Sequence, residues 1–143
     1  MMKYVYLSLF LLLSCSASDD SPLVTNNDSS SNTGNNNTSS FVVSYKGNFV
    51  SSAHVTSGLA EINENKTILR FTDFKTSAGP VLDVYLATDE TASNYVDIGV
   101  LKGLDGNYDY TLPGGIDYNT YKYVIIWCVD FSVNFGYAVL VNN

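Results

Sequence analysis

Cysteine, histidine and cationic side chains are scarce in this chain, and each scarcity closes off a class of function. Cys15 and Cys128 are the only two cysteines, too few for a disulfide framework. His54 is the single histidine, and a lone imidazole with scattered carboxylates has no metal-ligand spacing. Lys and Arg number 7 against 14 Asp and Glu, a formal charge of -7 with no basic cluster. Nucleic acid and anionic lipid surfaces are therefore unsuited partners, because both need clustered positive charge. There is no Gly-rich phosphate loop, no Gly-X-Ser-X-Gly elbow, no Cys-X-X-Cys and no histidine pair. Paired carboxylates such as Asp89-Glu90 fall in an apparent loop, with nothing to distinguish an acid from a base. These absences leave enzyme status open but favour a non-enzyme, at most a redox partner, with no cofactor and no metal expected.

A long apolar run is also lacking. Val5 to Leu13, behind Lys3, is mostly apolar but spans only about 13–14 Å as a helix, against a hydrocarbon core of about 30 Å. That length suits a signal h-region, and residues 1–14 are expected to be an export signal. Leu12-Leu13-Ser14-Cys15 resembles a bacterial lipobox, which implies cleavage before Cys15 and acylation of its sulfur and amine. Two or three acyl chains, at about 0.8 kcal/mol per buried methylene, would anchor the protein in a bilayer. The expected location is the bacterial cell envelope, as an outer-membrane lipoprotein facing the periplasm or the surface. Ser18-Asp19-Asp20 resembles the acidic surface-export signals of some lipoproteins.

Residues 15–40 hold the candidate anchor and a segment of Ser, Asn, Asp and Thr that has little carbon to bury. Such a composition predicts a disordered tether spanning about 25–30 Å. From Phe41 to Asn143 the composition turns to Val, Ile, Tyr, Phe and Thr, broken by Gly- and Asn-rich turns. Alternation and short apolar runs replace helical periodicity there, which predicts one all-β domain over residues 41–143. Strands are expected at 41–46, 48–51, 58–63, 67–71, 81–87, 96–101, 107–112, 121–129 and 133–141. Asn63-Glu64-Asn65 and Asp105-Gly106 read as hairpin connections. Short strands spaced by turns favour an antiparallel β-sandwich, with a small closed β-barrel as the alternative.

A run of local patterns then carries a resemblance. Gly47-Asn48-Phe49, His54 and Gly58 begin it, and Phe71 to Phe74 and Gly79-Pro80-Val81-Leu82-Asp83-Val84-Tyr85-Leu86 continue it. Gly99-Val100-Leu101-Lys102-Gly103, Gly106-Asn107, Tyr110-Thr111-Leu112-Pro113 and Tyr121 follow in order. Val124-Ile125-Ile126-Trp127-Cys128 and Phe131 to Ala138 complete it. In these residues the segment resembles the DM13 domain family. The resemblance implies an extracellular β-sandwich of a kind found beside DOMON or cytochrome-type domains, with a proposed part in electron transfer. It also implies that the cysteine of its Trp-Cys pair, here Cys128, is the redox-active thiol. No such companion domain accompanies the module in this sequence, so a redox or envelope protein acting in trans is the expected partner.

Read from the residues themselves, Cys128 has no intramolecular partner if Cys15 is lipidated. Redox work would then run through a mixed disulfide, a sulfenic acid or another protein's cofactor. Asp130 falls on the same strand face if the strand continues, and a carboxylate there disfavours a thiolate. An inert core cysteine is the competing reading, since free Cys is among the most buried residue types. His54 is either a neighbour that assists the thiol or a histidine held by backbone hydrogen bonds near the first strands. Asp105, Asn107 and Asp109 match the first ligands of a calcium loop, but Tyr110 and Ile116 break the match, leaving a turn flanked by solvated acids. Tyrosines are many, and Tyr118 and Tyr121 are candidates for a non-enzymatic surface binding or adhesion module. Ordinary sheet packing is the bland and favoured reading of the tyrosines, since strands favour them anyway.

Overall fold

The computed structural model describes residues 40–143, so the expected signal, Cys15 and nearly all of the tether lie outside the described residues. The described chain is all-β: β1 (Val43–Ser51), β2 (Thr56–Asn63), β3 (Ile68–Thr76), β4 (Leu82–Ala87), β5 (Tyr95–Val100), β6 (Asp105–Thr111), β7 (Tyr123–Cys128), β8 (Val133–Val139) and β9 (Val141–Asn142). All pairings are antiparallel, along the path β5-β4-β7-β8-β1-β2-β3-β6, with β9 added beside β1.

One strand serves two sheets. The first part of β1 pairs with β2 from Val43 to Asn48, and its last residues, Phe49 to Ser51, pair with β8 instead. The result is a sandwich of β9-β1-β2-β3-β6 against β5-β4-β7-β8-β1, curled like a half-barrel at the shared strand. Gly47 makes this corner possible, because a Cβ there would lie 2.3 Å from the Val139 carbonyl oxygen. The end strands β5 and β6 do not pair with each other among the described residues, so the ladder stays open. The linker between them bridges the gap: the Leu101 amide donates to the Leu82 carbonyl at 2.8 Å, and the Thr76 amide donates to the Leu104 carbonyl at 2.9 Å.

Alternation in the sequence fills the space between the sheets. Leu82, Val84 and Leu86 of β4 and Val124, Ile126 and Cys128 of β7 meet Ile62, Leu69, Phe71 and Phe74 from the other sheet. Each such side chain, fully buried, contributes roughly 1.5–3 kcal/mol relative to exposure.

Several boundaries differ from the sequence expectation. The two strands expected at 41–46 and 48–51 are one strand, because Gly47 serves a close approach and not a turn. Strand β3 continues past Phe71 through a bulge in which Asp73 has φ 49° and its amide donates to Asn107 Oδ1 at 2.8 Å. The extra residue turns both Phe71 and Phe74 inward. Asp105-Gly106 is the start of β6 rather than a hairpin tip, paired with Lys75 and Phe74. Asp130 does not share the Cys128 face, because β7 ends at Cys128 and the Ser132 amide donates to the Val129 carbonyl across a turn.

Candidate functional site

Cys128 ends β7, and its cross-strand neighbours are Leu82 on one side and Val133 on the other. Directly paired residues point to the same face, so these three side chains form the last inward layer of the core. The sulfur is free and 0% exposed. Val133 and Phe135 also line a cavity of about 300 Å³ whose remaining walls are His54, Ala78, Gly79, Pro80 and Phe131. Gly79 lets the backbone pass close to these side chains, since a Cβ there would sit 2.8 Å from Phe135 Cζ and 2.9 Å from Leu82 Cδ2. At the rim Phe131 is 71% exposed, with Val81 and Val129 also exposed and joined by a backbone hydrogen bond of 3.0 Å. The end of the sandwich nearest the thiol is thus an apolar mouth.

His54 belongs to this mouth. It lies in the bend between β1 and β2, its amide donating to the Phe135 carbonyl at 3.1 Å and its carbonyl accepting from Thr56 Oγ1 at 3.3 Å. Its ring is 3.8 Å, centroid to centroid, from Phe135. No hydrogen bond joins His54 to Cys128 among the described residues, so the two share an end of the fold without direct contact through a proton.

Chemically this arrangement is a buried thiol near an apolar end of the sandwich. Attack on a disulfide, or by an oxidant, needs access to sulfur. Access therefore requires the side chains packed around Cys128 to move.

The tyrosine candidates fare differently, and Tyr118 is corrected outright. Tyr118 is 3% exposed, with its ring 5.4 Å from that of Tyr45, and burial followed by Tyr45 pushes its phenol up. It is core, because the turn held by Asp117 through Thr120 and Asn119 folds it inward. Tyr121 is half-buried against the same core and offers little surface. Asp105, Asn107 and Asp109 each have a partner on β3: Lys75 at 2.9 Å, the Asp73 amide at 2.8 Å and Arg70 at 2.8 Å.

A second constellation was missed by sequence reading. On the outward face of β5, β4 and β7, Tyr95, Tyr85 and Trp127 stand in a stacked row with ring centroids 4.1 Å and then 6.1 Å apart. Tyr85, between the other two, is 5% exposed, and burial, then Tyr95, pushes its phenol up to about 12. Asp83, beside Trp127 in register, is raised by burial and then by Asp97, and its Oδ1 has no hydrogen-bond partner. The signal was present: a half-buried strand normally turns polar residues outward, yet here that face carries Tyr85, Tyr123, Ile125 and Trp127.

These features define a small antiparallel β-sandwich with one sealed thiol near an apolar end. The family model described as electron transfer DM13 matches residues 48–140, and the chain belongs to that family. No curated protein and no solved structure matches it.

Proposed function

We propose that this chain is an envelope lipoprotein, held by acylated Cys15 on its tether, whose DM13 domain takes part in electron transfer with a partner in trans. The family match over residues 48–140 carries the electron-transfer part of this reading. The mouth around His54, Phe131 and Pro80 supplies a docking surface of suitable character, since electron-transfer encounters use small interfaces below about 1,200 Å². In this reading Cys128 is the redox group, exposed only when docking or fluctuation parts the side chains packed around it. The opened thiolate attacks a partner disulfide, giving a mixed disulfide and releasing the partner's second thiolate. A thiol of a second, dithiol protein resolves it by attacking the partner's sulfur, so that the mixed disulfide breaks and Cys128 leaves as thiolate. The second protein's other thiol then closes its own disulfide and releases the reduced partner, so two electrons pass between the two proteins.

Acid quenching of envelope preparations followed by mass spectrometry tests the thiol step. A protein adduct on Cys128 that vanishes in Cys128→Ala is the expected result. Absence of any adduct under oxidising conditions removes the thiol role. The same spectra test the anchor, which requires a diacylated or triacylated Cys15 and fails if that sulfur is unmodified.

A further inference from the structure

The outward face of the β5-β4-β7-β8 sheet carries a second site, remote in character from the thiol mouth. Strand order sets Tyr95, Tyr85, Trp127 and Asn134 one after another across this face. Tyr85 covers one side of the indole, and the side toward β8 borders a cleft of about 420 Å³ lined by Ser52, Glu90, Thr91, Trp127, Ser132 and Asn134.

The cleft has a built wall. The loop after β4 folds back over the sheet and tucks Ala92 into the layer formed by Tyr85 and Ile125. Asp89 stiffens that loop, its Oδ1 accepting from the Thr91 amide at 2.9 Å, the Thr91 hydroxyl at 2.6 Å and the Ser93 amide at 3.2 Å. Asn134 ties the loop down, its Nδ2 donating to the Glu90 carbonyl at 2.7 Å. That bond fixes the amide's orientation, because a flipped Asn134 would set oxygen against oxygen. Its Oδ1 is then a buried acceptor without a protein partner. A buried acceptor left unpaired costs about 1–3 kcal/mol, which a bound hydroxyl recovers only as neighbouring side chains part to admit it, since the oxygen is sealed from solvent in the unliganded fold.

The lining selects a ligand class. No Lys or Arg borders the cleft, which argues against phosphate, sulfate and anionic sugars. Apart from the indole its walls are hydroxyls, one carboxylate and one amide, which argues against lipid and apolar peptide. One aromatic face with several hydroxyl-pairing groups suits a neutral pyranose ring: carbon–hydrogen faces pack on the indole, and hydroxyls bond to the rim. We propose that this cleft binds a neutral glycan, with Trp127 as the stacking platform and Asn134 and Glu90 as the hydroxyl partners. This site is independent of the Cys128 reading and stands or falls separately.

Trp127 is the chain's one tryptophan, so its fluorescence reads the cleft directly. The intact chain in detergent is titrated with soluble mixed-linkage β-glucan, xylan and galactomannan and their constituent disaccharides, and run in affinity gels containing each polysaccharide. The expected result is a saturable emission change with at least one of them. Asn134→Ala should weaken it about tenfold, the loss of one hydrogen bond, and Glu90→Gln, which exchanges a charged acceptor for a neutral one, about threefold. Glu90→Gln keeps the backbone carbonyl that Asn134 uses, so it remains informative if Asn134→Ala misfolds. Asp105→Asn, on the other sheet, should leave binding unchanged. The proposal is overturned if no probe alters emission or mobility, or if binding ignores both cleft variants. Binding of an Arg-rich peptide in place of every glycan would assign the cleft to a cationic partner and overturn it too.

Discussion

The two faces of β4 and β7 are built from alternating residues of the same short segments, yet they carry opposite chemistry. Leu82, Val84, Leu86, Val124, Ile126 and Cys128 face inward into a core that is mostly carbon. Asp83, Tyr85, Tyr123 and Trp127 face outward, where aromatic rings mix with an unpaired carboxylate oxygen and a loop that folds over them. Trp127 and Cys128 are neighbours in the chain and lie on opposite sides of the sheet. The contrast teaches that adjacent residues of one strand meet different surroundings: the sulfur lies sealed among core side chains, whereas the indole borders the outer cleft.

Substitutions on the two faces should separate these roles. Ile126→Ala, deep on the inner face, should cost about 2–5 kcal/mol in chemical denaturation. Tyr95→Ala, half-exposed at the end of the outer stack, should cost under about 1.5 kcal/mol, the scale of one aromatic pair. Equal losses would mean that the outer aromatic layer is a second core. Gly79→Ala should cost about 1–3 kcal/mol by forcing a methyl against Phe135 and Leu82. An unchanged midpoint would show that the mouth is already mobile. Cys128→Ser should cost about 1–3 kcal/mol because its hydroxyl would be buried unpaired, and Cys128→Ala should cost less than Cys128→Ser if the sulfur's surroundings are apolar. A Cys128→Ser chain as stable as Cys128→Ala would place water or a polar partner beside the sulfur.

The smallest effect concerns Asp83. Burial and Asp97 raise its folded value, so whatever stability its protonated form contributes is present below the ordinary carboxylate range and is lost as pH rises through the raised value. At neutral pH the ionised group is therefore a liability, and Asp83→Asn should raise the melting temperature there. The gain should fade as pH drops below the ordinary carboxylate range. A gain that persists in acid would trace the effect to the amide's new contacts and not to charge.

Much of this was legible beforehand, and the exceptions have local causes. The all-β architecture follows from alternation in Val81–Ala87 and from the doubly apolar run at Tyr123–Cys128, which lands mid-sheet with neighbours on both sides. The turn after Asn63 was readable from Asn-rich chemistry, and Asn63 Oδ1 indeed accepts from the Thr67 and Ile68 amides, each at 2.9 Å. Gly47 read as a break because its need, a carbonyl from a distant strand passing close by, is tertiary. Phe71 and Phe74 do not fit an alternating strand, and only the bulge at Asp73 reconciles them. Tyr118 looked like a surface tyrosine because sequence alone does not show which way the Asp117 turn folds. The outer aromatic row escaped notice for a related reason: Tyr95, Tyr85 and Trp127 come from three strands and meet only through register.

The most direct test of the sealed thiol is the rate at which an alkylating reagent labels Cys128 in the intact native chain as denaturant is varied. Opening confined to the His54–Phe131 end predicts labelling faster than global unfolding permits, with a shallow denaturant dependence in dilute solution. Labelling that tracks global unfolding at every concentration, with the full denaturant slope, would contradict it and leave Cys128 a core residue alone.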